Sequence, residues 1–138
     1  MKQLKIRIKS TQRKITINKK ATACLAKQVL KIKGLRGAEL SILFVGKRRI
    51  RGLNKRYRKI DRATDVLAFS MREGTGAYLH PQILGDVVIC PEIAKESREI
   101  HLCLIHGILH LLGYDDSNKK DRLLMEKEQN RLLEKLTK

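Results

Sequence analysis

Cysteine is scarce in this chain of 138 residues, and Cys24, Cys90 and Cys103 stand at wide, unrelated spacings. No CxxC pair exists, so neither a thiolate zinc site nor a disulfide framework is indicated. Each of the three lies among apolar neighbours, where small buried cysteines are common, and all three are expected in the core. Long apolar runs are missing as well. The longest uncharged stretch, between Glu99 and Asp115, holds three histidines and two glycines and makes a poor membrane span. The segment from Met1 to Lys9 alternates charged and apolar residues and has no apolar block of the kind a signal peptide needs. A cytoplasmic protein without membrane contact is expected. No internal repeat or linker-like segment is visible, so residues 1–138 are read as a single domain, long enough to bury a core.

Acidic residues are nearly absent from the first half. Residues 1–62 hold 21 Lys and Arg against only Glu39 and Asp61, whereas residues 63–138 are close to neutral. The whole chain carries a formal charge of +17. A basic half beside a neutral half fits a polyanion gripped by one part and acted on by the other. For a domain this basic, nucleic acid is the favoured partner.

Hydrophobic periodicity supplies the elements. Leu4, Ile6 and Ile8 alternate with Lys5, Arg7 and Lys9, which predicts a half-buried strand whose basic outer side suits a sheet edge. A helix is expected over 19–33, closed by Gly34 and Gly37, then a strand over 39–45. Residues 47–60 read as a short basic helix and 65–70 as a strand. The stretch 72–82, with Gly74, Gly76 and Pro81, reads as a loop. A strand over 84–90 stops at Pro91, which opens a helix to about Glu99. Two more helices follow, one over 100–112 and one from about Ser117, capped by Ser117 or Asn118, to the end of the chain. Strands and helices alternate as in an α/β domain.

The chemistry concentrates in His106-Gly-Ile-Leu-His110-Leu-Leu-Gly113-Tyr-Asp115-Asp116. At about 100° per residue, four residues return the second imidazole to nearly the same helix face, so both can address one metal ion. Gly113 suits a left-handed helix stop. The reversal it permits can bring Asp115 or Asp116 back as a third ligand. Three protein ligands and one free position describe a catalytic zinc site. His101 is off that face, a helix histidine of structural kind, and His80 is assigned no role. Metalloproteases of the H-E-x-x-H type carry their general base directly after the first histidine. This chain has Gly107 there, which argues against proteolysis, although a bound metal can still activate water.

A second constellation runs from Leu53 to Phe69. Nine of the sixteen residues from Lys47 to Arg62 are basic, and Tyr57 interrupts them. Basic side chains bind phosphates and one aromatic among them could stack a base. At its helical spacing from Leu53, Tyr57 is nevertheless expected to belong to the core.

Taken together, Leu53-Asn54 through Phe69, Leu84-Gly-Asp-Val-Val-Ile-Cys90 and His106 through Asp116 resemble the YbeY family of single-strand-specific endoribonucleases, in order and in chain length. The resemblance implies an α/β sandwich with a small mixed four-stranded sheet and about five helices. It also implies cleavage of single-stranded RNA in ribosomal RNA maturation, including the 3′ end of the small-subunit RNA, and ribosome quality control, with the ribosome or ribosomal proteins as partners. One Zn²⁺ would sit between His106, His110 and position 116, and Arg58 would contact the RNA phosphate. His106, His110 and Arg58 are thus the expected catalytic residues, with Lys55, Arg56 and Lys59 beside Arg58 as further RNA contacts. Position 116 departs from the family, which usually places a third histidine there. Asp116 can ligate zinc, but a harder oxygen ligand relaxes selectivity toward other divalent metals. Asp115 is expected to orient the turn or a ligand. The alternative is a non-catalytic ribosome-assembly factor with a structural metal, and a hydrolase of small substrates or peptides is disfavoured by Gly107.

Overall fold

The computed structural model describes residues 3–71 and 82–137. Its elements run β1 (Lys5–Ser10), α1 (Lys19–Ile32), β2 (Glu39–Phe44), α2 (Lys47–Arg58), β3 (Val66–Ser70), β4 (Ile83–Ile89), α3 (Pro91–Ala94), α4 (Ser97–Leu111) and α5 (Lys119–Leu136). The four strands form one mixed sheet in the order β1-β2-β4-β3. β1, β2 and β4 are parallel, and β3 pairs antiparallel with β4. β1 is therefore an edge strand, as its basic outer positions suggest.

Alternation along the strands divides the apolar side chains between two faces. Ile8, Ile42, Val87 and Ala68 lie in register across the sheet and point into the larger core. There they meet Leu25, Ala26, Val29 and Leu30 of α1, the apolar length of α4, and Met125, Leu132 and Leu133 of α5. α4 is buried nearly all round, with Leu104, Ile105, Ile108 and Leu109 at no more than 1% exposure. That is why its sequence shows little amphipathic stripe: it is enclosed between the sheet, α1 and α5. On the other face a smaller cluster of Leu67, Val88, Val45, Cys90 and Ile50 is roofed by α2. Gly85, at φ 142°, marks a bulge where β4 shifts register against Glu39 and Leu40, and an added Cβ there would lie 2.1 Å from the Phe69 carbonyl oxygen.

Three expectations are corrected. The helix after Pro91 stops at Ala94, not near Glu99, and α4 begins at Ser97. Lys95 takes φ 71° and its N–H bonds the Pro91 carbonyl oxygen at 2.7 Å, so the break occurs at a residue whose type gives no warning of it. Cys90 and Cys103 are buried, but Cys24 is exposed. Its apolar sequence neighbours are each about 100° round the helix, and of the two only Leu25 is on the face that α1 buries. β4 is shifted one residue toward the N-terminus, with Cys90 preceding α3. The loop over 72–82 falls outside the described residues except for Gln82. Among the described residues, no helix is long and apolar enough to cross a membrane.

Candidate metal centre

His106 and His110 project from one face of α4 with ring centroids 4.7 Å apart and planes at 78°. The helix ends in a Schellman motif. Gly113, at φ 101°, donates its N–H to the His110 carbonyl, and Tyr114 donates its own to the Leu109 carbonyl at 3.0 Å. Glycine meets the positive φ without a Cβ penalty.

The chain after the turn is fixed at three points. The Tyr114 hydroxyl accepts from the Lys33 ammonium at 2.8 Å and faces Glu128, which also pairs with Lys33. The end of α1, the turn and α5 are thereby tied together. Asp115 accepts from the backbone N–H of Asp116 at 2.8 Å and of Ser117 at 3.2 Å, and its other oxygen accepts from the Ser117 hydroxyl. Such an Asx turn makes Asp115 an organiser of the loop. Asn118 then caps α5 by accepting from the Asp121 N–H. With the loop held so, Asp116 is the carboxylate that returns to the helix, its Oδ2 3.5 Å from His110 Nε2.

The donor set fits a divalent metal. One ligand atom from each of His106, His110 and Asp116 lies within 4.8 Å of the other two. Tetrahedral zinc with bonds of 2.0–2.2 Å separates its ligand atoms by roughly 3.4 Å, and the His110–Asp116 pair has that spacing. Burial, then the neighbouring His106, pulls the His110 pKa below the ordinary imidazole value, with the Arg58 charge adding to the effect against Asp116. A neutral imidazole is the form that binds metal. The Asp116 side chain is 46% exposed, so the group is open to solvent from that side.

One contributor gave no signal in the sequence. Gln129 of α5 presents Oε1 at 2.7 Å from His106 Nδ1. An amide oxygen only accepts, so Nδ1 must carry the proton and Nε2 is left with its lone pair for a metal. The pairing spans 23 positions between two helices, and no local pattern announces it. Gly107 also acquires a second meaning: a Cβ there would stand 2.5 Å from a Val87 methyl carbon. The sheet passes α4 too closely at this point for any side chain, let alone a glutamate.

Arg58 ends α2. Its position depends on Asn54, which is buried, donates to the Arg62 carbonyl at 2.8 Å, and accepts on its own carbonyl from Ile60. Lys59 follows in the left-handed conformation at φ 63°. Of the other expected RNA contacts, Lys55 lies 3.7 Å from Asp61, Arg56 sits over the Tyr57 ring, and Lys59 reaches the Arg56 carbonyl oxygen. These three share the exposed end of α2, while Arg58 is the one whose charge acts on His110. Tyr57 is not a core residue. It is 56% exposed and packs edge-to-face on Phe69 at 5.3 Å. Its helical spacing from Leu53 is real, but the α2 face they share extends past the edge of the small core. His101 lies in a different depression, beside Cys24 and Gln28 of α1, and His80 falls outside the described residues.

Comparison with known proteins agrees with this architecture. The endoribonuclease YbeY family model matches residues 6–137. Endoribonuclease YbeY of Aquifex aeolicus is 38% identical, with 99% of this chain and 96% of the relative aligned. That of Pelotomaculum thermopropionicum is 36% identical over 94% of this chain and 95% of its own length. The solution structure of a Thermotoga maritima protein superposes with a TM-score of 0.61 at 28% identity, covering 95% of this chain and 88% of the other. Agreement over nearly the full length, in sequence and in fold, leaves one assignment: the chain belongs to the endoribonuclease YbeY family.

Proposed function

We propose that this protein is a metal-dependent endoribonuclease that cuts single-stranded RNA during ribosomal RNA maturation in the cytoplasm. The small-subunit 3′ end and ribosome quality control are its tasks, and the ribosome or its proteins are its partners. The observation that carries the reading is the convergence of His106, His110 and Asp116 beside the Arg58 charge, in a member of an endoribonuclease family. Zn²⁺ is the favoured ion for two imidazoles and a carboxylate, and when bound it supplies Lewis-acid polarisation of a phosphoryl oxygen or activation of a water.

The chain's own residues supply the rest. His106, held in one tautomer by Gln129, and His110, kept neutral by burial, hold the metal with Asp116. Arg58 binds the phosphate under attack and stabilises the negative charge that grows on it. Lys55, Arg56 and Lys59 hold the flanking backbone, where contacts position the strand without reading its sequence.

The test is cleavage of a labelled single-stranded RNA by the wild type, Arg58→Ala and His110→Ala. Arg58→Ala is expected to lose about 10²- to 10³-fold in rate, the cost of one transition-state donor, while His110→Ala is expected to lose metal-dependent cleavage and chelation to abolish that of the wild type. Wild-type rates in both variants would overturn the scheme. Retained RNA binding without metal-dependent cleavage would instead favour an assembly factor with a structural metal. A 2′,3′-cyclic phosphate on the product would identify the ribose hydroxyl, rather than water, as nucleophile.

A further inference from the structure

Among the described residues, the sheet face under α2 is only partly roofed. Register places Arg7, Ser41, Asp86 and Phe69 in one row across β1, β2, β4 and β3, and Lys9, Leu43, Val88 and Leu67 in the next. α2 covers the end of these rows at Leu67 and Val88 through Ile50 and Leu53. Beside it lies a groove of about 570 Å³, within the size range of sites that take a small organic group. Arg49, Leu53 and Tyr57, one turn apart along α2, form its wall.

Three features select an occupant. The rim charges are cationic, from Arg7, Lys9 and Arg49. Tyr57, more than half exposed, is braced edge-to-face on Phe69 and keeps its ring at the groove. Within the groove stands one carboxyl, Asp86, half-buried and hydrogen-bonded to Ser41. A free phosphate would be repelled by Asp86, and an apolar ligand would bury that carboxyl further and give the cationic rim no counter-charge. A flat heterocycle with an amino group, carried on an anionic backbone, satisfies all three.

We propose that the groove receives an unpaired nucleobase of the RNA strand, stacked on Tyr57, with its exocyclic amino group donating to Asp86 and its flanking phosphates on Arg7, Lys9 and Arg49. Aromatic platforms on open sheets are a recurrent means of holding single-stranded RNA. Asp86 accepts from the amino groups of cytosine, adenine or guanine, whereas uracil has none to give. Tyr57 serves the groove and the next residue, Arg58, acts on His110. The end of α2 thus connects base binding to the metal centre. The inference rests on the RNA reading above but concerns where the strand lies, not how it is cut.

The test measures fluorescence anisotropy of labelled oligo(C), oligo(A) and oligo(U) with the full chain in chelator, so that the metal takes no part. Oligo(C) and oligo(A) are expected to bind more tightly than oligo(U). Tyr57→Ala should weaken binding about five- to hundredfold, Tyr57→Phe should preserve it, and Asp86→Asn should narrow the preference for cytosine over uracil. Lys27→Ala, one charge removed from α1 on the far side of the sheet, should change affinity little. Thermal melts confirm that the variants are folded. If RNA binds but Tyr57→Ala and Asp86→Asn match the wild type with all three oligomers, the groove proposal is overturned, the RNA reading stands, and a polypeptide becomes the groove's candidate occupant. If no oligomer binds even the wild type, both readings fall together.

Discussion

Single residues at the metal centre have separable jobs. Gln129 acts through His106 and touches no substrate, so it is a positioning residue. Gln129→Leu is expected to lower metal affinity about 10- to 100-fold while leaving the fold intact, which metal titration and circular dichroism together would check. An unchanged affinity would mean that the His106 tautomer is fixed by something else. Asp116 sets the character of the ligand set. Asp116→His removes the hard oxygen and should raise the preference for zinc over magnesium, read by competition binding. A ratio that stays put would remove Asp116 from the ligands. In the sequence, the two histidines were legible from a four-residue spacing. Spacing alone left Asp115 and Asp116 both open and only the family resemblance pointed to Asp116, because the choice depends on which carboxylate the Asx turn consumes.

Elements meet under tighter constraints than their periodicity conveys. α4 packs so closely on β4 that Gly107 faces Val87 with no room for a Cβ. Gly107→Ala brings two opposed effects: a gain of about 1 kcal/mol in helix preference and an overpacking cost of about 1–3 kcal/mol. Val87 is fully buried in a central strand and cannot swing aside, so the expected outcome is a net loss of roughly 1 kcal/mol in urea denaturation. A more stable variant would show that the sheet yields. The sequence presented Gly107 only as a missing protease base; the reason for glycine lies across the core, 20 positions upstream. Tyr57 is the converse, where α2 periodicity was right and burial was wrong because, among the described residues, no second helix roofs that part of the sheet.

Stability of the whole molecule joins distant parts of the chain through Lys33, Tyr114 and Glu128. The hydrogen bond from Arg131, then that from Lys33, hold the Glu128 carboxyl at about 2 against burial, well below its ordinary 4.5. A carboxyl lowered in the folded state stabilises it above the unfolded pKa, and the contribution is lost as pH falls toward the folded one. Stability is therefore expected to drop between about pH 4.5 and about pH 2, and Glu128→Gln should flatten that part of the profile in urea titrations. Equal slopes in the two proteins would show that the anchor contributes nothing. The same anchor holds the turn that carries Asp116, so Glu128→Gln should also weaken metal binding.

The amino-acid sequence alone determined the order of strands and helices, the paired imidazoles on one helix face, the glycine stop and the lopsided charge. Each of these is local, since periodicity, capping and composition act over a turn or two of chain. Tertiary structure decided the rest. It brought Asp116 to His110, set Gln129 behind His106, tied Lys33 to Tyr114 across 81 positions, and aligned Arg7, Ser41, Asp86 and Phe69 into one row. These contacts come from strand register and from packing around α4, which depend on how the whole core closes and leave no periodic trace in the chain.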